Sequence, residues 1–244
     1  MKYLQILIVL LSFSTQAQID TAIAVPLLGV NFGGQLPGGD LSSRFGPNLR
    51  AGGSFLYKTK KNWVLGADAF YMFGKNVRQD VLSQLRTKEG SVIDNEGFPA
   101  DLRITERGFG VHAVIGRVIP VFDDGPNSGL FITIGLGYMQ HKINLYDAQQ
   151  KIAALKGSLK KGYDHLTGGL SSSQFIGYLH LSENRILNYY AGFEFYQIYS
   201  QSLRKINYDT GSADLSRRLD LLSGFRFGWI LPLYERKPND SYFY

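Results

Sequence analysis

Alternation of apolar and polar residues at every second position constrains this chain more than any other feature of its sequence. It recurs in eight segments that are separated by clusters of turn-forming residues, and this period is typical of a β-strand with one face in an apolar environment. The segments are 22–36, 47–59, 62–76, 103–121, 129–145, 169–183, 187–203 and 215–234. Each is long enough to span a bilayer, because a tilted strand needs roughly 9 to 11 residues. The pattern predicts an all-β fold.

The connections between these segments alternate in length. Short ones lie at 60–61, 122–128 and around 184–185, and long ones at 37–46, 77–102, 146–168 and 204–214. Outer-membrane barrels have short periplasmic turns and long outer loops, whereas a soluble sandwich has no reason to sort its loops in this way. The alternation therefore predicts a transmembrane, antiparallel, up-and-down β-barrel of eight strands with both termini in the periplasm.

The predicted strand at 62–76 has an aromatic residue at each end of one apolar face. This face carries Trp63, Leu65, Ala67, Ala69, Tyr71 and Phe73. Such spacing is typical of the two aromatic girdles of a membrane barrel, so apolar residues are expected outside and polar ones inside. In the segment 169–183 the assignment stays open, because Phe175 and Leu179 compete with Ile176 for the lipid face.

The N-terminus has the features of a secretory signal peptide. Lys2 supplies the positive start, residues 3–13 are mostly apolar, and residues 15–17 offer a small-residue cleavage site. The apolar stretch is too short for a spanning helix, which needs roughly twenty residues. The predicted division is a signal peptide at 1–17, a barrel at 18–234 and a periplasmic C-terminal tail at 235–244.

Topology and alternation together resemble the small eight-stranded outer-membrane barrels of the OmpA and OmpX type. The resemblance covers nearly the whole mature chain and rests on the segments and loop lengths given above. It implies the fold and an outer-membrane location, and it implies no particular activity. The 28 Gly, 15 Tyr and 16 Phe residues, with only 44% hydrophobic residues, suit twisted strands better than a helical membrane protein.

Charged and polar side chains are predicted at inward positions of a barrel whose interior is only wide enough to be filled by side chains. The inward set is Arg50, Asp68, His112, Glu194 and Arg226. Arg50 and Asp68 lie on neighbouring strands, as do Glu194 and Arg226, and buried charges must be paired. Two lumen ion pairs are predicted, either separate or merged into one network. A closed structural lumen is the leading interpretation, and a gated, narrow ion path is the alternative.

No set of residues points to catalysis, a metal or a cofactor. The sequence His180-Leu181-Ser182 has the His-x-Ser spacing of lipid A deacylase barrels, but the predicted topology puts it at the periplasmic end, away from the outer leaflet. The four His residues form no close pair and Cys is absent, so no metal site is expected. A net charge of +6 is too dispersed to indicate a nucleic-acid partner. We expect a non-enzymatic protein without cofactors.

The third long loop is predicted to contain a short helix. Its apolar face would carry Ala148, Ile152, Leu155 and Leu159. Around it lie four basic residues, Lys151, Lys156, Lys160 and Lys161. They are candidates for contact with a partner protein or with lipopolysaccharide phosphates, and the alternative is a helix packed on the barrel rim. A helical turn is also expected near Val81 and Leu85 in the second long loop.

The C-terminal tail is the second predicted contact region. It ends on the aromatic residues Tyr242, Phe243 and Tyr244, which suit a peptide that docks on a periplasmic partner or on the barrel mouth. These features favour a structural or accessory subunit of a larger envelope assembly, such as a secretion or barrel-insertion machine. The alternatives are a narrow channel or a barrel that binds a small molecule or lipopolysaccharide, and then a lipid-modifying enzyme. The expected partners are outer-membrane lipids, lipopolysaccharide and an envelope protein.

Overall fold

Eight antiparallel strands form one closed barrel in the computed structural model, which describes residues 21–121, 125–182 and 187–234. The strands are β1 (Val25–Gly39), β2 (Asn48–Lys58), β3 (Trp63–Gly74), β4 (Leu102–Ile119), β5 (Gly129–Asp147), β6 (Thr167–His180), β7 (Tyr189–Ser202) and β8 (Arg217–Pro232). Each strand pairs with the next along the chain, and β1 also pairs with β8, for example at Phe32 and Phe227, which closes the ring. The predicted up-and-down barrel is confirmed, with strand ends shifted by a few residues.

The outer surface of the barrel is apolar. The side chains of Phe32, Leu136 and Tyr199 are 60%, 73% and 68% exposed, respectively. Asn31, next to Phe32, is fully buried, because successive residues of a strand point to opposite faces. This arrangement reverses that of a barrel in water and is typical of one that spans a bilayer, where the closed sheet satisfies every backbone polar group.

The lumen is filled in layers. Toward the short turns it holds an apolar cluster, here called the turn-side cluster: Val25, Leu27, Leu56, Val64, Val118, Phe131, Phe175, Leu179, Leu181, Tyr190 and Ile230. Toward the long loops lies the loop-side cluster, in which strand residues such as Met72 and Met139 pack with loop residues such as Val81 and Leu155. A charged layer separates the two clusters, because on β3 the inward Asp68 comes between Val64 and Met72.

The half of strand β6 nearer the short turns directs one aromatic and one leucine side chain into the lumen. Phe175 and Leu179 are buried, whereas Ile176 faces outward. The lumen is apolar at this height, and the Phe175 ring packs edge-on against Phe131 and Tyr190 with centroids 5.6 and 5.5 Å apart. The two-residue period could not show which face of this strand meets the lipid, because both faces carry apolar residues here.

Short helical turns lie in the long loops. The first loop contains a single-turn helix, α1 (Leu41–Arg44), which was not predicted. The 3₁₀ turns are Ser83–Leu85 in the second loop, and Ala153–Leu155 and Leu159–Gly162 in the third. Within the described ranges, no helix has the length and apolar character needed to cross a membrane.

The prediction of one helix in the third loop, with Ala148, Ile152, Leu155 and Leu159 on a single face, is wrong. The Asp147 carboxylate accepts the backbone N–H of Ile152 at 2.9 Å, and such local side-chain bonds compete with helix formation. Gly157, at a φ of +55°, separates the two 3₁₀ turns. Leu155 is consequently buried over the barrel mouth, whereas Leu159 is exposed.

Candidate functional site

Arg50 lies at the centre of the charged layer. It points inward from β2 and is buried. Its guanidinium contacts Asp68 on β3 at 3.0 Å and Glu194 on β7 at 2.7 Å. It also donates to Asn31 Oδ1 at 2.7 Å and to the Tyr196 hydroxyl. One guanidinium fork thus holds two carboxylates, which compensates charges that would be strongly destabilising if buried alone.

Arg226 on β8 supplies the second cation of this layer. Its Nη1 lies 3.5 Å from Asp68 Oδ1, and its Nε lies 3.5 Å from Glu194 Oε2. The guanidinium carbon is 4.4 Å from the centroid of the Phe175 ring, at a distance where a cation is attracted to a ring face. Two arginines and two carboxylates therefore form one network whose formal charges cancel.

His112 is the fifth residue that the sequence placed in the lumen. It lies beside the network without an ion pair to it among the described residues. Its Nε2 is 2.7 Å from Ser171 Oγ, and its ring stacks on Phe70 with centroids 6.1 Å apart. The structure thus brings Arg50, Asp68, Glu194 and Arg226 together and leaves His112 at their edge.

Three uncharged partners of the network were missed by sequence reasoning. Asn31 and Gln35 on β1 donate their side-chain amides to Asp68 and Glu194 at 3.0 and 2.8 Å, and Tyr196 donates to Glu194 at 3.1 Å. All three occupy alternate, inward positions, so a search for every inward polar group would have found them.

Asp220 organises a second polar group nearer the long loops. It is buried, and its carboxylate accepts from Arg44 at 2.6 Å and from the Ser200 hydroxyl at 2.5 Å, with His141 Nε2 at 3.0 Å. Arg44 comes from α1, which folds into the barrel mouth. Strand alternation carries no information on a loop residue that turns inward, so this group was not predicted.

The lumen holds its charges in place between two apolar clusters. The turn-side cluster lies on one side of the network, and the loop-side cluster lies on the other. In the described part of the chain, no group of three or more His, Cys, Asp or Glu residues could hold a metal ion. The network is a compact group of paired charges inside the barrel.

The His-x-Ser sequence lies at the turn end of the barrel. His180 ends β6, and its ring lies 5.2 Å from that of Tyr189. The backbone N–H of Ser182 donates to Asn188 Oδ1 at 2.7 Å. Both residues are buried near the turn-side cluster, at the end that the predicted topology assigned to the periplasm.

The long loops form a surface over the barrel mouth and are joined to one another by hydrogen bonds and ion pairs. This surface is here called the loop platform and comprises residues 40–47, 75–101, 148–166 and 203–216. Asp164 of the third loop binds Arg204 of the fourth through two contacts of 2.7 and 2.5 Å. This hydrogen bonding raises the pKa of Arg204 above its ordinary value. His165 lies 3.2 Å from Gln79 and 2.9 Å from Asp209, which links the second, third and fourth loops.

The four predicted lysines lie in different surroundings. Lys151 pairs with Glu96 of the second loop at 2.9 Å, and this hydrogen bond raises the pKa of the lysine. Lys156 and Lys160 line an open groove of about 540 Å³ in the third loop, and Lys161 is exposed. The tail residues Tyr242, Phe243 and Tyr244, like the predicted signal peptide, lie outside the described residues.

Comparison with known proteins shows likeness in fold. No protein-family model matches the chain, and no curated protein matches it. Neisserial surface protein A is 12% identical, with a TM-score of 0.42 over 85% of this chain and 97% of its own. Ail of Yersinia pestis, solved with the heparin analogue sucrose octasulfate, is 8% identical, with a TM-score of 0.42 over 86% and 99%. The N-terminal β-barrel domain of Pseudomonas aeruginosa OprF is 12% identical, with a TM-score of 0.37 over 84% and 97%.

Proposed function

We propose that this protein is a non-enzymatic outer-membrane barrel that serves as a structural or accessory subunit of a larger envelope assembly. Removal of residues 1–17 would leave a barrel with its long loops outside the cell and both termini in the periplasm. The apolar outer surface and the sorting of loops by length support this placement. The observation that carries the proposal is the combination of a lumen filled by side chains with a loop platform whose loops are joined by ion pairs and hydrogen bonds.

Because side chains fill the lumen, we expect the function to be carried by the protein's outer surfaces. An ion path would have to cross both apolar clusters and break contacts between Arg50 and its two carboxylates. Such a path would require breaking a fully buried network, at a cost of about 3 to 5 kcal/mol for each unpaired charge. This geometry favours a scaffold over a channel.

The loop platform carries exposed apolar side chains that a partner protein would cover. Phe98 is 64% exposed and Leu215 is 88% exposed, although both lie on loops that are otherwise packed or ion-paired. Apolar groups held on an ordered surface and surrounded by polar residues are typical of interaction sites. Because hydrogen bonds and ion pairs already hold these loops in place, the loops would lose little conformational entropy when a partner binds.

Site-specific photo-crosslinking in intact cells tests this role. A photoreactive residue replacing Phe98 or Leu215 is expected to give one discrete, heavier adduct containing an envelope protein. The same residue replacing Leu136, which lies on the lipid-facing wall, is the matched control and should give none. Repeating the experiment without residues 235–244 shows whether the tail holds the partner. A full-length protein that gives no platform adduct would remove the support for an accessory subunit.

Planar-bilayer recording tests the channel alternative. The purified barrel is expected to show no steady conductance. A steady current that changes with Glu194→Gln would instead place an ion path through the charged layer.

A further inference from the structure

Two basic side chains face each other on the outer wall of the barrel. Arg107 on β4 and Lys142 on β5 are direct register partners, and both point outward because their neighbours Glu106 and His141 are buried in the lumen. Like charges directly opposite each other on a sheet are destabilising. No carboxylate of the described residues forms an ion pair with either of them. The pair therefore presents an uncompensated double positive charge.

This pair lies at the loop-side edge of the apolar belt. Nearer the turns on the same strands lie Phe109, two positions from Arg107, and Tyr138, four positions from Lys142, and their rings are 6.4 Å apart. The Arg107 guanidinium carbon is 6.0 Å from the ring centroids of both Tyr71 and Phe73. Aromatic girdles mark the height of lipid headgroups, so the neighbouring rings make this the height at which headgroup phosphates are expected.

A groove adjoins Arg107 on the wall formed by β2, β3 and β4. It has a volume of about 440 Å³, and its lining includes Leu49, Phe73, Lys75 and Arg107. Leu49 is 56% exposed toward the lipid, and Lys75 adds a third cation at the rim. The groove thus joins an apolar wall to a basic edge, which suits an amphiphile with an anionic head.

We propose that Arg107 and Lys142, with Lys75, bind a phosphate of a lipid A-type glycolipid in the outer leaflet, and that the adjoining groove holds its sugar and the start of an acyl chain. A phosphate between the two cations would relieve their repulsion and accept charge-assisted hydrogen bonds from the arginine fork. The assignment to the outer leaflet rests on the orientation given under the proposed function. The lipid site does not depend on the presence of a protein partner.

Binding of diphosphorylated lipid A to the purified full-length protein in detergent, followed by native mass spectrometry, tests the site. We expect Arg107→Gln with Lys142→Gln to weaken binding at least tenfold. Arg117→Gln is the matched control, because Arg117 lies on the same strand and face but at the turn end, 5.7 Å from the Trp63 ring. It should change binding less than twofold. The charge-keeping exchange of Arg107→Lys with Lys142→Arg should retain most of the binding.

Three results would overturn the proposal. Equal affinity for dephosphorylated lipid A would show that the phosphate is not recognised. Displacement of the lipid by an equal concentration of inorganic phosphate would identify a site for the free anion. An equal loss of binding in Arg117→Gln would indicate a general charge effect. Folding of each variant is checked by its circular dichroism, and if the double variant does not fold, each single Gln variant should still weaken binding several-fold. The platform crosslinks should not change in any of these variants, which separates this test from that of the proposed function.

Discussion

Two carboxyl groups in the lumen have opposite surroundings, although both are fully buried. Asp220 is bound by Arg44, His141 and Ser200. Glu106 receives one hydrogen bond, from the Asn48 amide at 3.1 Å, and its Oε1 has no partner among the described residues. Burying a charge is costly unless it is paired. The two residues should therefore contribute to stability with opposite signs.

We expect Glu106→Gln to raise the free energy of unfolding by about 1 kcal/mol, because it removes the desolvation cost of a buried carboxyl group that has no counterion and keeps the side-chain shape. Asp220→Asn should lower it by about 3 kcal/mol, because Arg44 then loses its counterion. Guanidinium unfolding of both variants in the same detergent measures the difference. A loss of stability in Glu106→Gln as large as that in Asp220→Asn would contradict this account.

At the level of the strands, two glutamines form a polar patch on the apolar outer wall. On β6 and β7, Gln174 and Gln197 exchange two amide hydrogen bonds of 2.9 Å, and Ser172 donates to Gln197 at 2.6 Å. Their outward neighbours Ile134 and Leu136 on β5 are apolar. The amides are tolerated facing lipid because they satisfy each other, since an unpaired polar group in hydrocarbon costs several kcal/mol.

This mutual satisfaction makes the two glutamines energetically coupled. Gln174→Leu alone leaves the Gln197 amide without its acceptor and should cost about 1 to 2 kcal/mol. The double change to Leu removes both amides and should cost less than the sum of the single changes. Unfolding of the four proteins of this cycle in lipid vesicles measures the coupling. Strictly additive effects would show that the amide pair does not matter for stability.

Strands and loops differ in how much of them could be predicted. Alternation located all eight strands, because a wall between lipid and a polar layer imposes a two-residue period along each strand. The loop contacts were missed, because the inward turn of Arg44 and the local hydrogen bonds of Asp147 depend on groups that are distant in sequence or on single side chains. The lumen charges were predicted individually. Their merging into one network was one of two open alternatives, and the sequence could not decide between them, because the merged form depends on contact between β2 and β7 across the closed barrel.

For the molecule as a whole, the sorting of loops by length is the basis of the proposed orientation in the membrane. The chain contains no Cys, so single cysteines report their side of the membrane without background. Ser158→Cys in the third long loop and Lys60→Cys in the first short turn both lie at exposed positions. In intact cells a membrane-impermeant maleimide should label the first and spare the second. Labelling of Lys60→Cys without labelling of Ser158→Cys would show that the barrel has the opposite orientation.

The pairing of charges in the lumen also bears on how the barrel is assembled. Arg50 and Asp68 belong to the β2–β3 hairpin, and Glu194 and Arg226 belong to the β7–β8 hairpin. Each hairpin thus carries one cation and one anion of the network, so each could enter the bilayer with this layer electrically neutral. The contact between Arg50 and Glu194 joins the two hairpins across the lumen, next to the seam where β1 meets β8. Closing that seam would therefore exchange two local pairs for the four-membered network, which would lock the ring after its last strand is in place.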